Sequence, residues 1–162
     1  MTKQITAYDT SIQSETALFP LGAHGFDTTG REWVYCRANG ATSAGGTAII
    51  STDATYDATP CDTSTEGTAG THWKLLGVPN IDMTNNYYGW FFVGGGEFEI
   101  LLEAYHDAGD VIYTTSVAPL LGNDDTSFQV EGVKSIDATT TSARATCVVA
   151  DRMTVGVVEA HD

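Results

Sequence analysis

The densest run of aromatic and apolar residues in the chain is Tyr87-Tyr88-Gly89-Trp90-Phe91-Phe92-Val93-Gly94-Gly95-Gly96-Glu97-Phe98-Glu99-Ile100-Leu101-Leu102-Glu103-Ala104. Aromatic and β-branched side chains are typical of packed β-strands. Three consecutive glycines permit the positive φ values that a tight reversal needs. The sequence therefore predicts two strands that meet at a turn over residues 94–96.

Successive side chains point to opposite faces of a strand, which divides each predicted arm into two sets. In the first arm Tyr88, Trp90 and Phe92 point to one face, while Tyr87 and Phe91 point to the other. A strand that is apolar on both faces must be central or covered by a neighbouring subunit. In the second arm, apolar residues alternate with glutamates, so one side is expected to face water. The aromatic residues expected in the core or at a subunit interface are Trp33, Tyr87, Tyr88, Trp90 and Phe92.

The remainder of the chain is predicted to form further short strands, for a total of eight to ten, because no segment keeps a helical period over a dozen residues. These predicted strands lie at about 31–38, 47–50, 73–79, 111–117, 128–133, 145–150 and 153–158. Asn39-Gly40 is a turn dipeptide that predicts a hairpin between the first two. The expected fold is all-β, either a β-sandwich or a small, jelly-roll-like barrel.

A chain of 162 residues fits one domain that can bury a core without disulfides. Residues 1–20 are predicted to form an extended N-terminal arm, with a frayed terminus as the alternative, and residues 21–162 a single β-domain. Residues 51–71 are almost entirely small and polar, which predicts a long surface loop. The arm ends in Leu18, Phe19, Pro20 and Leu21, a compact apolar group suited to a groove on another subunit.

Charge excludes several classes of partner. The chain has 21 acidic and 7 basic residues, for a formal net charge of −14. Nucleic acid is not expected as a partner, because phosphate neutralisation needs clusters of Lys and Arg. Anionic membrane surfaces are disfavoured for the same reason, and no run reaches membrane-spanning length. The first twenty residues lack the pattern of a signal peptide, so synthesis in the cytoplasm and three reduced cysteines are expected.

No motif indicates an enzyme, a metal site or a cofactor. The four histidines, His24, His72, His106 and His161, are expected at the surface or in turns, since none has a partner at a ligand-like spacing. The acids at 107–110 and 123–125 do not match the spacing of a calcium loop. Glu97 and Glu99 share a strand face about 7 Å apart, as in an inverting glycosidase pair. A solvated strand face explains both glutamates, so catalysis is not expected.

The order of features resembles that of tailed-bacteriophage head decoration proteins, also called cement proteins. A polar N-terminal arm comes first, followed by Gly30-Arg31-Glu32-Trp33-Val34-Tyr35-Cys36-Arg37-Ala38 and a glycine-rich hairpin. Next come a strand like Asn85-Asn86-Tyr87-Tyr88-Gly89-Trp90 and a late stretch like Pro119-Leu120-Leu121-Gly122. The similarity covers about residues 18–155 and is one of rhythm and composition.

The resemblance implies an all-β, often trimeric protein on the outside of a capsid, where it clamps neighbouring major capsid subunits. The implied localisation is the virion exterior, and the implied partners are the major capsid protein and further copies of the chain. Two other functions stay open. One is a tail, neck or fibre-base component of a phage. The other is a carbohydrate-binding module in which Trp33, Trp73 or Trp90 would stack on sugars.

Overall fold

The structure, a computed structural model, describes residues 9–61, 74–123 and 129–156. These residues form ten strands and no helix, so none of them belongs to a membrane-spanning helix. The all-β prediction is confirmed. The strands are β1 (His24–Phe26), β2 (Glu32–Ala38), β3 (Ala48–Ile50), β4 (Asp57–Pro60), β5 (Lys74–Pro79), β6 (Tyr88–Leu102), β7 (Ile112–Thr114), β8 (Leu121–Gly122), β9 (Gln129–Ser135) and β10 (Ala143–Gly156).

All ten strands belong to one mixed sheet, in the order β1-β2-β4-β3-β5-β10-β6-β8-β7-β9. Three additional pairings, of β2 with β6, β5 with β6 and β9 with β10, join strands that are not neighbours in this order and so curl the sheet. One pairing within the strand order is very short, since β6 pairs with β8 through a single pair of residues, Leu102 and Leu121. The sheet is therefore barrel-like without closing into a barrel.

The central element is β6, and it corrects the prediction of a glycine hairpin. Residues 94–96 do not reverse the chain, because β6 runs through them as one strand of 15 residues. Its first half pairs with β2, with Trp33 opposite Phe92, and its second half pairs with β10. Gly95 and Gly96 have φ values of 84° and 141°, which only glycine adopts readily. The glycines therefore let one strand bend from its pairing with β2 into its pairing with β10.

The prediction that the first arm, now the first half of β6, is apolar on both faces is confirmed, and each face contacts a separate hydrophobic cluster. Trp90 and Phe92 belong to the larger cluster, which takes side chains from β2, β3, β5 and all the strands from β6 to β10. Phe91 and Val93 belong to the smaller cluster, enclosed by β2, β3, β4 and β6. Strands of the same chain thus bury both faces, and no neighbouring subunit is needed to cover them.

Three further predictions about the chain path are wrong. β2 does not form a hairpin with β3, since β2 pairs in parallel with β4 while β3 lies between β4 and β5. The predicted loop at 51–71 contains β4, whose Ala58 is completely buried, and its remaining part, from residue 62, lies outside the described residues. The two strands predicted at 145–150 and 153–158 are one strand, β10, with a register shift after Val149.

Candidate interaction surfaces

Residues 9–21, which we call the N-terminal strap, lie against the start of β6. Ser14 exchanges two backbone hydrogen bonds with Tyr88, at 3.0 and 2.8 Å. The Gln13 side-chain oxygen accepts a hydrogen bond from the Thr84 amide, and the Tyr87 hydroxyl donates to Glu15 at 2.6 Å. The described part of the predicted arm is therefore held by one backbone bridge and several side-chain contacts.

The four residues expected to attach to another subunit divide into two pairs. Phe19 and Leu21 pack against the larger core cluster of the chain itself. Leu18 is 55% exposed and Pro20 is exposed. The Leu18 amide donates to the Tyr35 hydroxyl at 3.1 Å, so its backbone is fixed while its side chain faces solvent.

The predicted core aromatics Trp33, Trp90 and Phe92 take part in two groups of ring contacts, one around Phe19 and one around Phe98. Phe19 lies 5.2 Å from both Tyr35 and Trp90, measured between ring centroids. Trp33 lies 5.3 Å from Phe98, and Phe98 stacks on Phe92 at 4.5 Å. Such pairs add about 0.5 to 1.5 kcal/mol each beyond the burial of their area. Trp33 and Trp90 are only 1% and 2% exposed, so neither can stack on a sugar, and Trp73 lies outside the described residues. Tyr87 and Tyr88 are half-buried beside the strap.

The turn between β1 and β2 is organised by one carboxylate. Asp27 accepts hydrogen bonds from the backbone and hydroxyl of Thr29, from the backbone and guanidinium of Arg31, and from the Trp33 indole. Burial raises the pKa of Asp27, but the hydrogen bonds from Thr29 and Arg31 outweigh burial and lower the pKa to about 2. The β1–β2 hairpin is therefore a preformed unit.

Four arginines are already engaged by acids of the same chain. The ion pairs are Arg31 with Asp27, Arg37 with Asp57, Arg144 with Glu99, and Arg152 with Glu32. Burial raises the pKa of Glu32, but hydrogen bonds from Arg152 and His24 more than offset it, so the pKa is lowered overall. Acids outnumber bases by 21 to 7, so most acids have no basic partner. The surface presents unmatched negative charge.

An open cleft of about 260 Å³ lies beside the outer face of β6 and β10. Arg31 and Arg144 line it together with Glu97, Phe98 and Glu99. Glu97 and Glu99 are exposed, as predicted for the wet side of the strand. Because acids and bases are mixed here, the cleft lacks the single-sign field that would attract an ion.

His106 corrects the prediction that the histidines lie at the surface or in turns. Its side chain is completely buried, and neither ring nitrogen has a hydrogen-bond partner. The nearest acid is Asp110, whose carboxylate lies 3.7 Å from Nδ1. His24 is half-buried and lies 2.7 Å from Glu32, whereas His72 and His161 lie outside the described residues. Within the described ranges no three His, Cys, Asp or Glu residues could hold a metal ion.

Sequence reasoning missed the first strand, β1. Its three residues are too few for an alternating pattern to be visible. The available signal is the turn sequence Asp27-Thr28-Thr29-Gly30, which joins the short segment to the aromatic strand β2. Neither the protein-family models nor the curated protein sequences contain a match to this chain.

Proposed function

We propose that this chain is a head decoration protein of the tailed-bacteriophage type, which binds the outside of the capsid and strengthens contacts between major capsid subunits. The observation that carries the proposal is the N-terminal strap. Phe19 anchors it to the core, while the large apolar side chains of Leu18 and Ile12 are left 55% and 47% exposed. Exposed apolar groups on a positioned segment are suited to docking on another protein.

The electrostatics support an outer position on the shell. Each arginine is paired within the chain, and the net charge is −14. A surface of this kind repels packaged nucleic acid and is attracted to a basic surface on a partner. Attachment to the shell should therefore weaken as the salt concentration rises, because salt screens exposed charges beyond about 8 Å at physiological ionic strength.

A closed homotrimer is proposed from the resemblance alone. The aromatic first half of β6 does not require it, because both faces of that half are buried within one chain. Exposed apolar residues elsewhere provide candidate contacts between copies, among them Tyr105 (79% exposed) and Val111 (49%). Sedimentation equilibrium of the purified chain at micromolar concentration should give three times the monomer mass, and a monomer mass throughout would contradict the trimer.

The role of the strap can be tested with a matched pair of variants. Leu18→Asp places a charge on the exposed strap residue, and Val117→Asp places the same charge on a residue that is 51% exposed beyond β7. Both should fold with unchanged melting temperatures. On expanded heads that lack the protein, Leu18→Asp should reduce bound protein at least tenfold, whereas Val117→Asp should bind as the wild type does. Equal binding by both variants would remove the strap from the attachment surface.

A further inference from the structure

Among the described strands, β1 alone has a neighbour on only one side. β1 and β4 share one side of β2, and β6 occupies the other side. Each of the remaining strands pairs with two or more others, whereas β1 pairs with β2 alone. A strand with an open edge offers unpaired backbone groups to another chain.

The register shows which backbone groups of β1 face outward. The Tyr35 amide donates to the Ala23 carbonyl, and the Asp27 amide donates to the Arg31 carbonyl. Along an antiparallel ladder, hydrogen-bonded residue pairs alternate with pairs that are not hydrogen-bonded. Gly25, opposite Trp33, therefore belongs to the hydrogen-bonded set, between the pairs formed by Ala23 and Asp27. The amides and carbonyls of His24 and Phe26 therefore point away from β2.

Hydrogen bonds hold the turn that follows this edge, and the edge carries one exposed apolar side chain. The Asp27 network fixes the turn after β1, so pairing with another strand requires little reorganisation of this chain. The Phe26 side chain is 41% exposed at the end of β1. An added strand would gain up to four backbone hydrogen bonds and contact with the Phe26 ring.

A second copy of the chain fits this edge poorly. Among the described strands only β1 has an open edge, so of these strands another copy could offer only its own β1. Pairing two three-residue strands buries on the order of a few hundred Å², far below the roughly 1,200 Å² of a stable interface. Both copies would also carry a net charge of −14. These limits favour a different partner with neutral or basic residues.

We propose that β1 receives an extended, basic segment of the shell protein as an additional antiparallel or parallel strand, with main-chain bonds to His24 and Phe26. The proposal rests on the decoration function and adds the surface through which the shell is held. The −14 charge attracts a basic segment, and the four arginines, already paired, offer nothing to an acidic one.

The test compares two substitutions at one position. Phe26→Pro removes an outward amide without touching the bonds between β1 and β2, and proline is tolerated at a strand edge. Phe26→Ala removes the same ring but keeps the amide. With expanded heads that lack the protein, Phe26→Pro should bind at least tenfold more weakly than Phe26→Ala, at equal melting temperature. Equal binding of the two variants would overturn the proposal.

A second measurement does not depend on whether Phe26→Pro folds. In the wild-type protein, the amides of His24 and Phe26 should exchange hydrogen at least tenfold more slowly on heads than in free solution. Unchanged exchange on heads would overturn the β1 proposal while leaving the decoration function standing. A wild-type protein that fails to bind heads at all would reject the decoration function itself. Dimers in free solution that Phe26→Pro abolishes would assign the edge to a second copy instead.

Discussion

The ring of Phe19 meets the ring of Tyr35 edge-on, with 5.2 Å between the centroids and 77° between the planes. This contact joins the N-terminal strap to the wall of the larger core cluster. The strap is therefore part of the folded domain from Phe19 onward, and its exposed neighbour Leu18 is held at a fixed position by the hydrogen bond to Tyr35.

Replacing Phe19 by alanine should destabilise the protein. Replacing a completely buried phenylalanine by alanine typically lowers the free energy of unfolding by about 3 to 5 kcal/mol. Because Phe19 is only half-buried, we expect a loss of about 2 kcal/mol. Chemical denaturation followed by tryptophan fluorescence measures this change. Leu18→Ala is the matched control, and it should cost less than about 0.5 kcal/mol because Leu18 is mostly exposed. Similar losses for both variants would mean that Phe19 is not an anchor.

The continuous path of β6 predicts a steric effect at Gly94. A Cβ atom at this position would lie 2.2 Å from the carbonyl oxygen of Asp151, which belongs to the backbone of β10. Gly94→Ala should therefore destabilise by about 3 kcal/mol, the upper end for an overpacked site. Gly30→Ala is the control, since Gly30 has open space around it and a φ of 88°. It should cost about 1 kcal/mol from backbone strain alone. If residues 94–96 formed a hairpin turn, Gly94→Ala would be the milder substitution.

The sequence predicted the faces of the strands better than the path of the chain. Alternation assigned Trp90 and Phe92 to one face and Phe91 to the other, and the two clusters divide them in this way. The alternation is local, so it can be observed without knowing which strands are neighbours. Three glycines, by contrast, are compatible with a turn or with a close crossing of strands. The close crossing is seen only in the folded chain, where the carbonyl oxygens of Asp151 and Gly30, far away in sequence, lie against residues 94 and 95.

Burial that depends on distant neighbours was also invisible in the sequence. The segment that forms β4 is polar and small, yet β2 and β3 enclose it on both sides. His106 lies in a polar turn sequence, but its backbone pairs with Thr139, and the side chain is enclosed there. The open edge of β1 follows from the whole set of strand pairings, so no local pattern could have identified it.

The Asp27 network predicts a specific loss of stability in acid. The pKa of Asp27 is about 2 in the folded protein, below its usual 3.8, so the ionised carboxylate stabilises the fold above pH 4. This contribution is lost as the pH falls from 4 toward 2. Asp27→Asn should therefore lower the melting temperature at pH 7, and the difference from the wild type should shrink as the pH approaches 2. Glu131→Gln, on an exposed position of β9, serves as the control for the loss of one charge.

The cysteines should be unreactive in the folded state. Cys36, Cys61 and Cys147 are all buried reduced thiols. Burial raises the pKa of Cys36, and burial together with nearby Asp137 raises that of Cys147 to about 12. Because the thiolate is the reactive form, alkylation at pH 8 should be slow in the native protein. Mass spectrometry after denaturation in reductant-free buffer should show three alkylated thiols. Fewer than three would indicate a disulfide and an oxidising compartment.

Binding of the purified chain to phage heads tests the proposed decoration function directly. Expanded heads lacking the protein and isolated tails should each be incubated with the chain and sedimented. We expect saturable binding to heads in a fixed ratio to the major capsid protein, weakened by added salt because the chain carries a net charge of −14. Binding to tails alone would assign the protein to the tail, neck or fibre base. Binding to neither particle would contradict a role in the virion.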